Sequence, residues 1–203
     1  MNFPSKYLLR LSETFDRPTI AKHRFVDINS GVRVFEYYNF DPSEYALEFQ
    51  LDLIKQLDST LNLNSLILCA DYGHGLFTDL IINKLCESKA FLAVNTQSNA
   101  GNRGFNTFFK YNRMDLLCLN GAELELTLRK KIVDFKSVVP QIITEKKCSY
   151  VIVTLGSQGM LVFDKNGGCH QTPAFATKVT DKVGAGDSVL AIASDRKSTR
   201  LNS

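Results

Sequence analysis

Tryptophan is absent from this 203-residue chain, histidine occurs three times, and the five cysteines form no C-x-x-C pair. The cysteines, at 69, 86, 118, 148 and 169, are odd in number, and several sit in apolar runs such as "SLILCA" and "DLLCL". That pattern argues against a disulfide framework and predicts buried, reduced thiols of a cytosolic protein. His23, His74 and His170 lack the spacing of metal ligands. Charge of one sign is not in excess either. The 24 basic and 21 acidic residues leave a net charge of +3, of which Asp195, Arg196, Lys197 and Arg200 supply +2 as three bases against one acid. Neither a nucleic-acid partner nor a membrane partner is expected from such a balance. The opening "MNFPSKYLLRLSETF" has no continuous apolar stretch of signal-peptide type, and no run approaches the length that spans a bilayer. The cytoplasm is the expected location. Internal repeats and low-complexity linkers are also lacking.

What is present suits one α/β domain. Apolar residues make up 44% and charged residues 22%, as in ordinary globular proteins, and the length is enough for a core. Residues 19–40 read as two β-rich runs around an Asn-Ser-Gly turn, outside the pattern that follows, and so form an accessory sheet or lid. Asp41 as N-cap and Pro42 at the first helical position predict a helix. Its apolar face would be Leu47, Leu51, Ile54, Leu57 and Leu61. "SLILCA" reads as a strand buried on both faces, and Thr78 caps a second helix running through Cys86. Then come strand "FLAV", a polar loop, a short helix near 105–111, strand "DLLCL", helical segments across 121–147 and strand "YVIVTL". "GMLVFDKNGGCHQT" predicts a hairpin turning at Asn166-Gly167-Gly168. Helices alternating with short apolar strands predict a doubly wound, mainly parallel sheet flanked by helices.

The most informative stretch is "DKVGAGDSVLAI", Asp181 to Ile192. Gly184, Ala185 and Gly186 open an apolar helix, where unpaired amides and the positive end of the macrodipole attract anions. Glycine lets backbone approach a ligand without a Cβ in the way. A Rossmann fingerprint would need glycine or alanine where Val189 stands, and no Gly-Lys-Ser/Thr of a Walker A loop occurs. Two readings remain open from spacing alone. The loop is a turn with Asp187 as a helix cap, or it holds a phosphoryl group while Asp187 accepts a proton from an alcohol.

"DKVGAGDS" resembles the C-terminal signature of PfkB-type, ribokinase-like carbohydrate kinases. Three other stretches resemble that family in the same order. "CLNGAELEL" is similar to its N-x-x-E motif at Asn120 and Glu123. "VIVTLGSQGMLVF" is similar to its T-x-G-x-x-G strand–turn–strand at Thr154, Gly156 and Gly159. "CADYGHGLFT" resembles the D-Y-G-K-G loop of the heptose-phosphate kinase branch, whose lid segment residues 19–40 also resemble. Together the similarity covers most of residues 17–194.

The resemblance implies a ribokinase-like fold and ATP-dependent phosphorylation of a hydroxyl on a sugar or sugar phosphate. It implies Asp187 as catalytic base and Gly184–Gly186 as anion hole. Asn120 and Glu123 would organise Mg²⁺ and its waters around ATP, Glu123 through water. Thr154, Gly156 and Gly159 would line the nucleotide side, Lys110 would contact phosphate, and Asp71 would shape the acceptor side. A homodimer through the lid is also implied. Lys182 replaces the signature's threonine, and His74 replaces the branch lysine. His74, when protonated, would hydrogen-bond an anionic substrate.

The family's N-terminal strands, which carry much of the sugar pocket, and its final adenine-side elements have no counterpart here. The expected organisation is therefore a partial kinase domain over 1–194, incomplete at both ends, with lid about 17–40. "DRKSTRLNS", residues 195–203, breaks the apolar pattern and is expected to be a non-native tail. The fragment alone is expected to be inactive. Two other functions fit the same residues: a catalytically silent nucleotide-binding remnant, or a ribokinase-like ATP-dependent hydrate dehydratase.

Overall fold

The computed structural model describes residues 20–41, 43, 45–61, 66–99, 101–175 and 184–201. Strands β1 (Ala21–Val26) and β2 (Arg33–Asn39) form a separate antiparallel ribbon. Its turn is held by Asp27, whose Oδ1 accepts from the Ser30 amide at 2.7 Å, as expected of an Asx turn. Phe25 stacks on Phe35 across the ribbon with centroids 4.2 Å apart, and both remain about half exposed. The opposite face pairs Glu36 with Lys22 and Arg24.

Helix α1 spans Leu47–Leu61, so it starts later than the Asp41-Pro42 signal suggests. Asp41 Oδ1 instead accepts from the Ser43 amide at 2.9 Å, making a local turn before the helix. The buried face is also rotated from the expected one. Leu47 and Leu51 are exposed, while Gln50 and Leu53 are buried and Phe49, Ile54, Leu57 and Leu61 pack on the core. Gln50 accounts for the rotation. Its Nε2 donates to the Tyr45 carbonyl at 2.7 Å and its Oε1 accepts from Thr78 Oγ1 at 2.7 Å. A fully bonded amide can occupy an interior position that leucines would otherwise take.

The remaining elements alternate as expected. They are β3 (Leu66–Asp71), α2 (Asp79–Glu87), β4 (Phe91–Thr96), β5 (Leu116–Asn120), α3 (Gly121–Leu128), α4 (Val139–Lys146), β6 (Tyr150–Thr154), β7 (Met160–Asp164), β8 (Cys169–Thr172) and α5 (Ala185–Leu201). The six-stranded sheet has the order β3-β4-β5-β6-β7-β8. The β3-β4, β4-β5 and β5-β6 pairs are parallel, and the β6-β7 and β7-β8 pairs are antiparallel. Thr78 stands at the N-cap of α2, but its hydroxyl goes to Gln50 rather than to the helix. Helix α5 runs unbroken through Asp195 to Leu201, across the boundary where the sequence pattern changes.

Period-2 side-chain alternation divides the core between the two faces of the sheet. Leu92, Val94, Leu117, Leu119, Val151 and Val153 point toward helices α1 to α4. Phe91, Ala93, Leu116, Cys118 and Ile152 point toward Leu190 of α5. All five cysteines are free, and burial pushes the thiols of Cys69, Cys118 and Cys148 up to about 12, so they stay protonated and inert. No helix among the described residues is long and apolar enough to cross a membrane.

Candidate functional site

The carboxyl ends of β3, β4, β5 and β6 converge on one rim of the sheet, ending in Asp71, Thr96, Asn120 and Thr154. Ligands of open α/β sheets bind at such a rim, because the connecting loops and helix N-termini gather there. Helix α5 packs on β3, β4 and β5 and starts at Ala185. Its N-terminus therefore comes to the rim, although the preceding Asp181, Lys182 and Val183 lie outside the described residues.

Gly184 has φ +78°, a left-handed conformation that side chains strain to adopt, and its carbonyl accepts from the Ser188 amide at 2.9 Å. Ala185 and Gly186 are exposed in the first turn, where helix amides have no acceptor within the helix. A Cβ built on Gly184 or Gly186 would enter open space. Asp187 follows, half-buried, and its Oδ1 accepts a 2.8 Å hydrogen bond from Gln97 Nε2. The Tyr72 phenol lies near Asp187 and Gln97. Burial first, and then the Asp187 charge, push this phenol above its ordinary range.

Asn120 and Glu123 close a capping box at the start of α3. Asn120 Oδ1 accepts from the Glu123 amide at 2.8 Å, and Glu123 Oε2 accepts from the Asn120 amide at 2.9 Å. Glu123 Oε1 reaches the Ser98 amide at 3.3 Å. Burial raises the proton affinity of the Glu123 carboxyl, the two amides oppose that, and the Asp187 charge adds to it. The two carboxylates thus feel each other across the rim. Among the described residues no group of three or more His, Cys, Asp or Glu converges as a metal site.

Thr154 pairs in register with Asn120 and leads into the 3-10 turn Gly156–Gln158. Gly159 has φ +87°, and a Cβ there would collide with the backbone of Thr172 and Pro173. Only glycine lets β8 lie this close to the turn. Thr154, Gly156 and Gly159 accordingly border the rim at the end of β6, three strands along the sheet from β3, which Tyr72 follows.

Asp71 is 1% exposed and is surrounded by donors. Tyr111 OH reaches its Oδ2 at 2.9 Å, Lys110 Nζ pairs with Oδ2 at 2.6 Å, and the Gly73 amide reaches Oδ1 at 2.9 Å. Asn106 Nδ2 bridges the Asp71 and Gln97 carbonyls at 2.9 and 3.2 Å. Lys110, which the resemblance directed toward phosphate, is bound to Asp71 and to Asn106 Oδ1 at 2.7 Å. Its ammonium braces the loop after β3.

His74 sits where the ribbon meets the sheet. Its ring lies 5.3 Å from both Tyr38 and Phe40 and stacks near-parallel with Tyr72, 6.3 Å away. Burial, assisted by the Lys22 ammonium and opposed by Asp71, lowers its proton affinity. Its neutral form is favoured, so the imidazole serves as a packing plate rather than as a cation.

Sequence reasoning missed Gln97 as a site residue and quoted Tyr72 only within a motif. Gln97 belongs to a polar loop with no spacing signature. Its one legible signal is its position just past the end of a buried apolar strand. That end is where α/β sheets place ligand-facing groups.

Known proteins agree with this architecture. Residues 81–193, more than half of the chain, match the pattern described as "pfkB family carbohydrate kinase". The bifunctional protein HldE of Campylobacter curvus is 28% identical over 152 residues, covering 73% of this chain and 31% of that protein. The bifunctional protein HldE of Wolinella succinogenes is 26% identical over 178 residues, covering 86% of this chain and 36% of that protein. The chain thus spans about a third of the length of these relatives. Among solved structures, ribokinase from Giardia lamblia superimposes with a TM-score of 0.63 at 18% identity, covering 93% of this chain and 62% of that one. Phosphofructokinase-2 from Escherichia coli gives 0.63 at 19% identity, covering 82% and 55%. The fold is ribokinase-like, with a mainly parallel central sheet flanked by helices. Four ordered motifs, a ribokinase-like fold and this match lead to one conclusion: the chain belongs to the pfkB family of carbohydrate kinases.

Proposed function

We propose that the full protein transfers a phosphoryl group from ATP to a hydroxyl of a sugar phosphate, with a heptose phosphate as the acceptor class suggested by the sequence resemblance. One observation carries the reading. Asp187 lies at the rim beside the first turn of α5, within hydrogen-bond reach of Gln97 and within electrostatic reach of Glu123. Phosphoryl transfer asks a protein mainly for positioning and charge stabilisation, which a helix N-terminus and a fixed carboxylate supply. Asp187 accepts the acceptor hydroxyl's proton, and the amides of Gly184–Gly186 face the oxygens of the migrating group. Thr154, Gly156 and Gly159 border the nucleotide, and Asp71 with Lys110 holds the acceptor-side loop in shape.

The donor set fits a hydrated divalent cation. Glu123 is a half-buried carboxylate whose charge is disfavoured by its partial burial and by Asp187, and whose oxygens are already turned to amides. It would hold Mg²⁺ through water, with Asn120 fixing its orientation. Mg²⁺ neutralises phosphate charge when bound with ATP. We assign the protein to the cytoplasm, with the ribbon as a lid.

The reading is tested with the full-length gene product, Mg²⁺-ATP and a panel containing fructose 6-phosphate and a heptose phosphate. A phosphorylated sugar product is expected. Nucleotide-dependent thermal stabilisation with no product from the whole panel would instead favour a silent nucleotide-binding remnant.

The exposed Phe25–Phe35–Tyr37 face of the ribbon supports pairing of two copies, because a lone two-stranded ribbon is marginal in water. Sedimentation should show a dimer that Phe35→Ser weakens by tenfold or more. A wild-type monomer at all concentrations sinks the pairing.

A further inference from the structure

The Asp187 carboxylate is held by a donor from the end of β4, where Gln97 gives it the 2.8 Å amide contact. The phenol of Tyr72, just past β3, lies near it. Both residues are themselves fixed. The Gln97 amide N–H donates to the Asp71 carbonyl at 2.8 Å, and its carbonyl accepts from Asn106 Nδ2 at 3.2 Å. The Tyr72 carbonyl accepts from both Asn99 Nδ2 and Asn102 Nδ2 at 2.8 Å. The Tyr72 ring lies against His74, which Tyr38 and Phe40 of the ribbon cover from the other side.

We propose that Gln97 is a positioning residue that aims the Asp187 carboxylate at the acceptor hydroxyl. This rests on Asp187 being the proton acceptor. A short aspartate on a helix has few rotamers, and a carboxylate held at one oxygen presents the other in a fixed direction. Proximity effects of this kind are lost steeply when the reacting atom is misplaced by about 1 Å. Gln97 need not touch the phosphate or the sugar, so its influence should pass through Asp187 alone.

Steady-state kinetics of the full-length protein with Mg²⁺-ATP and whichever sugar phosphate it turns over separate the possibilities. Gln97→Leu is expected to lower kcat by tenfold or more, with KM for both substrates changed less than threefold. In an Asp187→Asn background, Gln97→Leu should cause no further loss, because residues acting as one unit are not additive. The isosteric Gln97→Glu keeps the shape but sets a second carboxylate against Asp187, and should lose more than Gln97→Leu. Thermal melts confirm folding of each variant. Wild-type kcat in Gln97→Leu overturns the proposal, as does an effect confined to KM. So does a full Gln97→Leu loss superimposed on Asp187→Asn. If Asp187→Asn itself keeps wild-type turnover, the base assignment fails first and this proposal with it. A dead Asp187→Asn beside a fully active Gln97→Leu removes this proposal alone.

Discussion

Asp187→Asn should lower kcat by about 10²- to 10⁴-fold, the usual contribution of a positioned general base. Asparagine keeps the size of the side chain and an oxygen that can still accept from Gln97 Nε2, so the local fold should persist. What disappears is the capacity to accept a proton. The loss should fall on kcat and on kcat/KM equally, because the missing interaction forms only as the proton moves. Stabilisation by Mg²⁺-ADP in a thermal melt should remain near wild type, since the amides at the start of α5 are untouched. Turnover unchanged by the substitution would return the glycine loop to its plainer reading as a turn with a helix cap.

Asp71→Ala is expected to act on stability as strongly as Asp187→Asn acts on rate. The carboxylate is almost wholly buried and receives Lys110, Tyr111, the Gly73 amide and Asn106. Its removal strands an ammonium and a buried hydroxyl together. Breaking a buried pair from one side typically costs about 3–5 kcal/mol. Lys110 keeps about a quarter of its side chain exposed and can turn toward water, which places the expectation near the lower end. Asp71→Asn preserves the shape and some of the bonds and should cost about 1–3 kcal/mol. Urea unfolding at constant m-value reads both. A residue that only touched substrate would leave the midpoint unmoved and raise KM instead, and that result would overturn the structural role given to Asp71 and Lys110.

The inner strands were legible because burial on both faces demands unbroken apolar runs: "FLAV", "DLLCL" and "YVIVTL" all became strands of one sheet. "SLILCA" also became a strand, but at the sheet's edge and not buried on both faces, since Leu68 is exposed. The hairpin turning at Asn166-Gly167-Gly168 was legible through its glycines, and the accessory ribbon through its departure from the alternation. The face of α1 was misread because a leucine count cannot see that Gln50 will find two partners from Tyr45 and Thr78. The ion pair of Lys110 was illegible for a related reason. Its partner Asp71 lies 39 positions away in the chain, and only the approach of the loop after β4 to the end of β3 brings them to 2.6 Å.

By itself, then, the order of residues determined the alternation of strands and helices, the glycine-opened helix and the family. Each of these is local, written in spacing over a few neighbours. Tertiary structure alone decided that Gln97 and Asp187, 90 positions apart, would share a hydrogen bond. It also decided that Tyr72 would lie near them and that His74 would pack among Tyr38, Phe40 and Tyr72 under the ribbon. Those outcomes depend on which loop ends meet at the sheet's rim, and that is set by the packing of α5 over three strands.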